Sequence, residues 1–92
     1  MPLLENHIAV VTGAASGIGR AIAAGYAKEG ARVALLDMNE KAAAEAAREI
    51  RDSGGKAESF ALDVTRRDDC VAVAKKIADT VGQVSILVNN AG

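Results

Sequence analysis

The sequence has few aromatic residues, one cysteine and one proline among its 92 residues. Tyr26 and Phe60 are the aromatic residues, so a core must be built mainly from Ala, Val, Ile and Leu. Because Cys70 is the single cysteine, the chain cannot form an internal disulfide, which fits a reducing compartment. No apolar run reaches the roughly 18 residues of a membrane span, and the start lacks a signal-peptide pattern. These features predict a cytoplasmic protein without a membrane segment.

Neither sign of charge dominates the chain. Eleven basic and twelve acidic residues give a formal net charge of −1, and they are scattered rather than gathered into a basic stripe. This distribution argues against nucleic acid as a partner. Hydrophobic residues make up 50% of the sequence, which predicts one ordered domain with a modest core.

Four apolar or alternating segments have the length and composition of strands. They lie at 8–11, 32–36, 56–62 and 84–88, and the third starts polar, as expected near a sheet edge. Three segments with helical spacing separate them. Strands that alternate with helices of this kind form a parallel sheet with right-handed crossovers. The sequence therefore predicts an α/β fold with the element order β-α-β-α-β-α-β.

Individual residues predict how the helices begin, end and pack. Gly30 suits the left-handed position that closes the first helix, in which Gly25 predicts close packing. Asn39 predicts the N-cap of the second helix. Thr65 with Asp68 forms a Thr-x-x-Asp pattern, which predicts the start of the third helix.

Cys70 and His7 are the residues most easily mistaken for catalytic or metal-binding groups. Cys70 shares a predicted helical face with Ile77 and Val81, so we interpret it as a small buried core residue. His7 precedes the first strand, without a cluster of further ligands near it in sequence, and is interpreted as a surface or strand-edge residue. The pattern predicts neither a metal site nor a catalytic role for these two residues.

The first strand leads directly into a glycine-spaced turn. Gly13, Gly17 and Gly19 let the backbone turn tightly and approach a pyrophosphate, and the following helix offers unpaired N–H groups to it. Asp37 ends the second strand, where a carboxylate can accept hydrogen bonds from a ribose diol. The same carboxylate repels a 2′-phosphate, and the adjacent Met38 has no positive charge to offset it. The sequence predicts a site that prefers NAD to NADP, in a sheet of strand order 3-2-1-4.

Two motifs are similar to those of a known family. Residues 12–19 read Thr-Gly-Ala-Ala-Ser-Gly-Ile-Gly, and residues 89–92 read Asn-Asn-Ala-Gly. They resemble the Thr-Gly-x-x-x-Gly-x-Gly fingerprint and the Asn-Asn-Ala-Gly motif of the classical short-chain dehydrogenases/reductases. The resemblance covers the whole chain and implies a Rossmann-type parallel sheet with flanking helices, present as its N-terminal half-fold.

The resemblance also implies which residues bind the cofactor. They are Gly13, Ser16, Gly17, Ile18 and Gly19 along the dinucleotide, Asp37 and Met38 at the adenine ribose, Asp63 and Val64 at the adenine ring, and Asn90, Ala91 and Gly92 beside the ribose. Ser16 and Met38 stand where NADP-preferring members often carry a basic residue, which again favours NAD. The residues also leave structural roles open. Asn89 and Asn90 can tie neighbouring strands together by side-chain hydrogen bonds, and Asp63 can serve as a turn residue before a helix.

The family's catalytic pattern is not found in these residues. A tyrosine acidified by a lysine four positions on acts there as general acid and base, and a serine polarises the substrate carbonyl. Tyr26 is the one tyrosine of this sequence, and Gly30 follows it by four positions, so we interpret Tyr26 as a packing or surface residue. The resemblance implies that 1–92 is the NAD(H)-binding part of a dinucleotide-binding domain whose catalytic half is absent. The complete enzyme would transfer hydride between nicotinamide and an alcohol or carbonyl substrate, and this chain alone is predicted to be inactive.

Alternative functions remain open at this level. A stand-alone structural or nucleotide-binding module would keep the half-fold and self-associate. The predicted strand 84–88 supports self-association, because it lies at an edge of the 3-2-1-4 sheet without protecting lysine or proline residues. A methyltransferase is disfavoured by the glycine spacing and by the Asn-Asn-Ala-Gly motif. A nucleoside triphosphatase is disfavoured because residues 18–20 read Ile-Gly-Arg instead of Gly-Lys-Ser/Thr.

Overall fold

The computed structural model describes residues 4–15, 17–63 and 65–90. Its elements in chain order are β1 (Ile8–Thr12), α1 (Gly17–Lys28), β2 (Arg32–Asp37), α2 (Glu40–Asp52), β3 (Lys56–Ala61), α3 (Arg67–Thr80) and β4 (Ile86–Asn89). Strands and helices alternate as the hydrophobic pattern predicts. The predicted β-α-β-α-β-α-β order is confirmed.

The four described strands form one parallel sheet in the order β3-β2-β1-β4. This confirms the predicted 3-2-1-4 arrangement and the α/β Rossmann-type half-fold. Thr12 at the end of β1 pairs with Leu36 of β2 on one side and with Asn89 of β4 on the other. Asp37 at the end of β2 pairs with Ala61 of β3. This register aligns the carboxyl ends of all four strands at one edge of the sheet, here named the carboxyl edge.

Alternate residues of the strands fill two separate cores. Val11, Val33 and Leu35 are fully buried on the face covered by α1 and α2, where alanines of both helices pack against them. Val10, Ala34 and Leu36 point to the opposite face and pack with Ile77 of α3 and with Val81. Strands buried on both faces must be apolar throughout, which explains the nearly continuous apolar runs of β1 and β2.

Two of the predicted helix boundaries are confirmed. Gly30 has φ of +98°, the left-handed conformation that closes α1. Asn39 is the N-cap of α2, and its side-chain oxygen accepts a hydrogen bond of 3.0 Å from the N–H of Ala42.

The prediction that Thr65 and Asp68 start α3 is wrong. The helix begins at Arg67, and Arg66 occupies the N-cap without a side-chain hydrogen bond to the helix. The Thr65 hydroxyl instead donates to a carboxylate oxygen of Asp63 at 2.6 Å. A bond to an ionised carboxylate is stronger than one between neutral groups, so Thr65 is drawn back toward Asp63.

Two packing predictions are also corrected. A β-carbon added to Gly25 would have no heavy atom within 4 Å, because this residue lies on the exposed side of α1, so the predicted close packing is wrong. Cys70 packs against the core on the α3 face of the sheet but is only half-buried, since it lies in the first turn of α3 at the margin of that core.

The bounds of the last strand differ from those predicted, 84–88, because β4 is formed by Ile86–Asn89. Ser85 is held before the strand begins by a hydrogen bond of 2.9 Å from its N–H to the Ile8 carbonyl.

Candidate functional site

The carboxyl edge brings together residues from four distant parts of the sequence. Gly13 follows β1, Asp37 ends β2, Asp63 follows β3 by two positions, and Asn90 directly follows β4. The N–H of Leu62 donates to the Asp37 carbonyl at 3.0 Å and so extends the β2–β3 connection past the last strand pair. The predicted site residues that the structure describes therefore share one edge of the sheet.

The glycine turn is tightly packed on its inner side. A β-carbon on Gly19 would overlap the Gly13 carbonyl oxygen and would lie 2.6 Å from the Asn90 side-chain nitrogen. That nitrogen donates to the same carbonyl oxygen at 3.3 Å. Glycine at position 19 is thus required for the start of α1 to contact both the turn and the residue after β4.

The outer side of the turn is open. Gly17 opens α1 with φ of +54°, a conformation that other residues adopt only with strain, and a β-carbon there would have no heavy atom within 4 Å. The first turn of α1, residues 17–20, is fully described and contains no acidic residue. By contrast, α2 has Glu40 there, and α3 has Asp68 and Asp69. The positive end of the α1 dipole faces this space, and no carboxylate in the first turn of α1 offsets that positive charge.

Asp37 lies beside the turn with both carboxylate oxygens in use. One oxygen accepts a hydrogen bond of 3.1 Å from the N–H of Ala15 in the turn, and the other accepts one of 2.9 Å from the N–H of Asn39. An ionised carboxylate has about four acceptor positions, so each oxygen keeps capacity for another donor. The half-buried Asp37 can therefore receive two further hydroxyl groups from the open side.

Thr12 connects β1 to the end of β4. Its hydroxyl accepts a hydrogen bond of 3.0 Å from the N–H of Asn90 and lies 3.1 Å from the side-chain oxygen of Asn89, to which it can donate. Together with the bond from the Asn90 side chain to the Gly13 carbonyl, they confirm that the side chains of Asn89 and Asn90 tie neighbouring strands together. Thr12 was not predicted from the sequence as their partner, although it is a single polar residue at the end of a buried strand.

Asp63 is fixed by the turn that follows β3. One of its carboxylate oxygens accepts hydrogen bonds from the hydroxyl and from the N–H of Thr65, at 2.6 and 3.0 Å. These two bonds, with a smaller contribution from the Arg66 charge, hold the pKa of Asp63 below its ordinary value. The turn role predicted for Asp63 is confirmed.

Large apolar side chains are exposed next to this edge. Ile18, in the first turn of α1, is 72% exposed, and Met38, directly after β2, is 66% exposed.

The predicted site residues Ser16, Val64, Ala91 and Gly92 lie outside the described residues. Tyr26 is half-buried against the core beneath α1, as predicted for a packing residue.

A separate groove of about 620 Å³ lies between α1 and α2. It is lined by Arg20, Ala24, Lys28, Ala46 and Glu49 among others, and Arg20 forms an ion pair with Glu49. These residues extend along α1 from its first turn to its last residue, and along the second half of α2. Within the described ranges, no group of three or more His, Cys, Asp or Glu side chains is arranged to hold a metal ion. In the same ranges, no helix is long and apolar enough to cross a membrane.

Comparison with known proteins identifies the family. A family model described as short chain dehydrogenase matches residues 7–92. The chain therefore belongs to the short chain dehydrogenase family. It is 50% identical over 92 residues to the uncharacterized oxidoreductase YxbG of Bacillus subtilis, covering 100% of this chain and 34% of that protein. The chain thus spans about a third of the length of the curated relatives it matches.

Solved structures show the same fold. A metagenomic short-chain oxidoreductase in complex with NADP superposes with a TM-score of 0.92 at 43% identity, over 97% of this chain and 40% of that chain. A putative D-mannonate oxidoreductase from Haemophilus influenza, with bound NAD, gives a TM-score of 0.93 at 37% identity, over 97% of this chain and 32% of that one. Proteins that share this half-fold thus include one solved with each dinucleotide.

Proposed function

We propose that residues 1–92 are the N-terminal, NAD(H)-binding part of a short-chain dehydrogenase. The complete protein would transfer hydride between nicotinamide and an alcohol or carbonyl substrate. The family match and the oxidoreductase relatives support this proposal over a stand-alone structural module. Because Gly30 stands four positions after Tyr26, these residues contain no Tyr-x-x-x-Lys pair, and we propose that they bind cofactor without turning it over. A cytoplasmic location stays a prediction from the sequence.

The observation that carries the proposal is the shape of the glycine turn beside Asp37. The space over Gly17 is open, and the first turn of α1 places backbone N–H groups and a positive dipole end against it. A pyrophosphate fits this environment, and Asp37 keeps acceptor capacity for a ribose diol on the adjacent strand end. The bound nicotinamide would supply the hydride chemistry, while the residues of this chain hold and orient the adenosine diphosphate part.

The proposed binding set is the one that the sequence predicts. It comprises Gly13, Ser16, Gly17, Ile18 and Gly19 at the turn, Asp37 and Met38 after β2, Asp63 and Val64 after β3, and Asn90, Ala91 and Gly92 after β4. Ile18 and Met38 support it, since both expose apolar surface next to the proposed position of the cofactor. The Asp63 carboxylate supports it as well, because it can accept a hydrogen bond from an adenine amino group.

Asp37 further supports a preference for NAD over NADP. A 2′-phosphate at the adenine ribose would meet the Asp37 carboxylate, and the neighbouring Met38 side chain offers it no cation. Two anions close together in a half-buried site repel each other. We therefore propose NAD(H) as the cofactor, although a structural neighbour was solved with NADP.

Calorimetric titration of the chain with NADH and with NADPH tests the proposal. We expect NADH to bind more tightly, and we expect Asp37→Ala to narrow the difference by weakening NADH more than NADPH. Glu40→Ala is the matched control, because Glu40 also carries a negative charge after β2 but lies exposed in the first turn of α2. This control should leave the ratio of the two affinities unchanged.

Two outcomes would contradict the proposal. Equal or tighter binding of NADPH would overturn the cofactor preference. Binding of neither dinucleotide to a folded chain would show that these residues do not form the site by themselves. Circular dichroism of each variant separates loss of binding from loss of folding.

We also propose that the 92-residue chain self-associates through β4. In the described sheet β4 pairs with β1 on one side and leaves its other side open. Leu87 in the middle of this strand is 69% exposed, and Ile86–Asn89 contains none of the lysines or prolines that protect sheet edges. A second copy of the chain could pair with this edge and cover Leu87.

A further inference from the structure

The glycine turn is fastened to β2 by two hydrogen bonds beyond the last strand pair. The N–H of Ala14 donates to the Leu36 carbonyl at 3.2 Å, and the N–H of Ala15 donates to the Asp37 carboxylate at 3.1 Å. The β1–β2 ladder itself ends with Thr12 opposite Leu36. The Asp37 side chain therefore continues the connection where the backbone ladder has stopped.

The Asp37 carboxylate is itself held in place from the other side. Its second oxygen accepts a hydrogen bond of 2.9 Å from the N–H of Asn39, two residues later in its own turn. Asn39 in turn caps α2 through Ala42, so the carboxylate is oriented by the β2–α2 connection. A group fixed in this way can hold the backbone that it contacts in one position.

The buried N–H group of Ala15 requires a hydrogen-bond acceptor, which Asp37 provides. The residue is buried, and a buried N–H group without a partner costs free energy comparable to a lost hydrogen bond. The turn around it also contains two residues with positive φ, Gly13 at +62° and Gly17 at +54°. Backbone of this kind has many alternative conformations, so an external contact is needed to select one.

We propose that Asp37 is a positioning residue for the glycine turn, which its carboxylate fixes through the Ala15 N–H before any ligand binds. Its consequence for cofactor binding rests on the proposed function, in which the same side chain accepts the ribose hydroxyls. The two roles are separable, because the Ala15 bond uses one acceptor position of the carboxylate and leaves others for the ribose hydroxyls.

The charge of Asp37 and its positioning role predict opposite effects on the binding of a simple anion. By charge alone, removal of the Asp37 carboxylate removes a repulsion and strengthens anion binding at the turn. By positioning, removal of the acceptor frees the turn and weakens the same binding. Asp37→Asn removes the charge and keeps one carbonyl oxygen that can accept from Ala15, whereas Asp37→Ala removes both charge and acceptor.

Amide hydrogen exchange of the unliganded chain tests the positioning role. We expect the protection of the Ala15 N–H to fall about tenfold in Asp37→Ala and to be largely retained in Asp37→Asn. Exchange at Val33, fully buried in β2, reports global opening and corrects for any change in overall stability. Unchanged protection of Ala15 in Asp37→Ala, or an equal loss in both variants, would overturn the proposal. If Asp37→Ala does not fold, Asp37→Ser serves in its place, because its shorter side chain cannot span the distance to Ala15.

Titration with inorganic pyrophosphate, followed by the backbone amide signals of the turn, tests the consequence for ligands. This probe lacks a ribose, so any effect of Asp37 on it acts through charge or through the turn. We expect Asp37→Asn to bind pyrophosphate more tightly than the unchanged chain and several-fold more tightly than Asp37→Ala. Equal affinity of the two variants would contradict the positioning role. Absence of pyrophosphate binding to every form, with the exchange result intact, would instead overturn the proposed function and leave the positioning role supported.

Discussion

The hydroxyl of Thr12 accepts a hydrogen bond of 3.0 Å from the N–H of Asn90, which joins the end of β1 to the residue after β4. Thr12 is only 8% exposed and is the one buried polar side chain among the described residues. The same hydroxyl lies 3.1 Å from the Asn89 side-chain oxygen. One side chain therefore secures the edge strand at the carboxyl edge, where the proposed cofactor would pass.

Thr12→Val is expected to destabilise the chain by about 1–2 kcal/mol, because it keeps the volume of the side chain and removes the hydrogen bonds. Thr12→Ser is the control. It loses about 0.8 kcal/mol with the buried methyl group but keeps the hydroxyl. Urea unfolding measures the two stabilities, and hydrogen exchange at Asn90 separates them, since its protection should drop only in Thr12→Val. Equal protection of Asn90 in both variants would contradict the role of the hydroxyl.

Two glycines of α1 are expected to respond to alanine with opposite signs. A β-carbon on Gly19 would overlap the Gly13 carbonyl oxygen, so Gly19→Ala should destabilise the chain by about 1–3 kcal/mol. Gly25→Ala has open space around the added carbon and should stabilise the helix by about 0.5–1 kcal/mol. Thermal unfolding of the pair provides the measurement. A stabilising Gly19→Ala would show that the turn, α1 and Asn90 are not in the contact described.

The pKa of Asp63 is expected below the ordinary aspartate value of about 3.9. Thr65→Val removes the hydroxyl, the largest cause of the shift, and should raise this pKa part of the way back, because the Thr65 N–H still donates. Carboxyl carbon chemical shifts followed against pH give the value. The control Thr80→Val removes a hydroxyl that bonds to the Lys76 carbonyl, and it should leave Asp63 unchanged.

The direction of this shift also fixes the effect of acid on stability. Because the folded pKa of Asp63 is lowered, its contribution is fully present above about pH 4 and is lost as the pH falls through the folded pKa. Thr65→Val should therefore show a smaller loss of stability between pH 4 and the folded pKa. The same acid dependence in both chains would indicate that the Thr65 hydroxyl is not bonded to Asp63 in solution.

Leu87→Lys is expected to shift the chain from an oligomer toward the monomer, because it places a charge on the open edge of β4. Val71→Lys is the matched control, since Val71 is exposed to a similar extent, 63% against 69%, but lies on α3. Sedimentation equilibrium at several concentrations measures the change. A folded monomer at high concentration before any substitution, or equal dissociation by both lysines, would rule out the β4 interface.

Residues close together in the sequence determined the fold. Apolar runs and helical spacing specified the element order, and the glycine turn after the first strand led to the predicted strand order β3-β2-β1-β4. The position of Asp37 at the end of β2 followed from the same pattern. These features were predictable because each depends on the spacing of neighbouring residues, which a sequence displays directly.

Only the tertiary structure decided which groups meet. The sequence did not show that Thr12 would bond to Asn90, 78 positions away, or that Asp37 would hold Ala15, 22 positions away. Gly19 and Gly25 lie on the same helix, but of the two Gly19 alone packs against the glycine turn and Asn90. Such contacts depend on how strands far apart in sequence align at one edge of the sheet. The spacing of neighbouring residues does not specify that alignment.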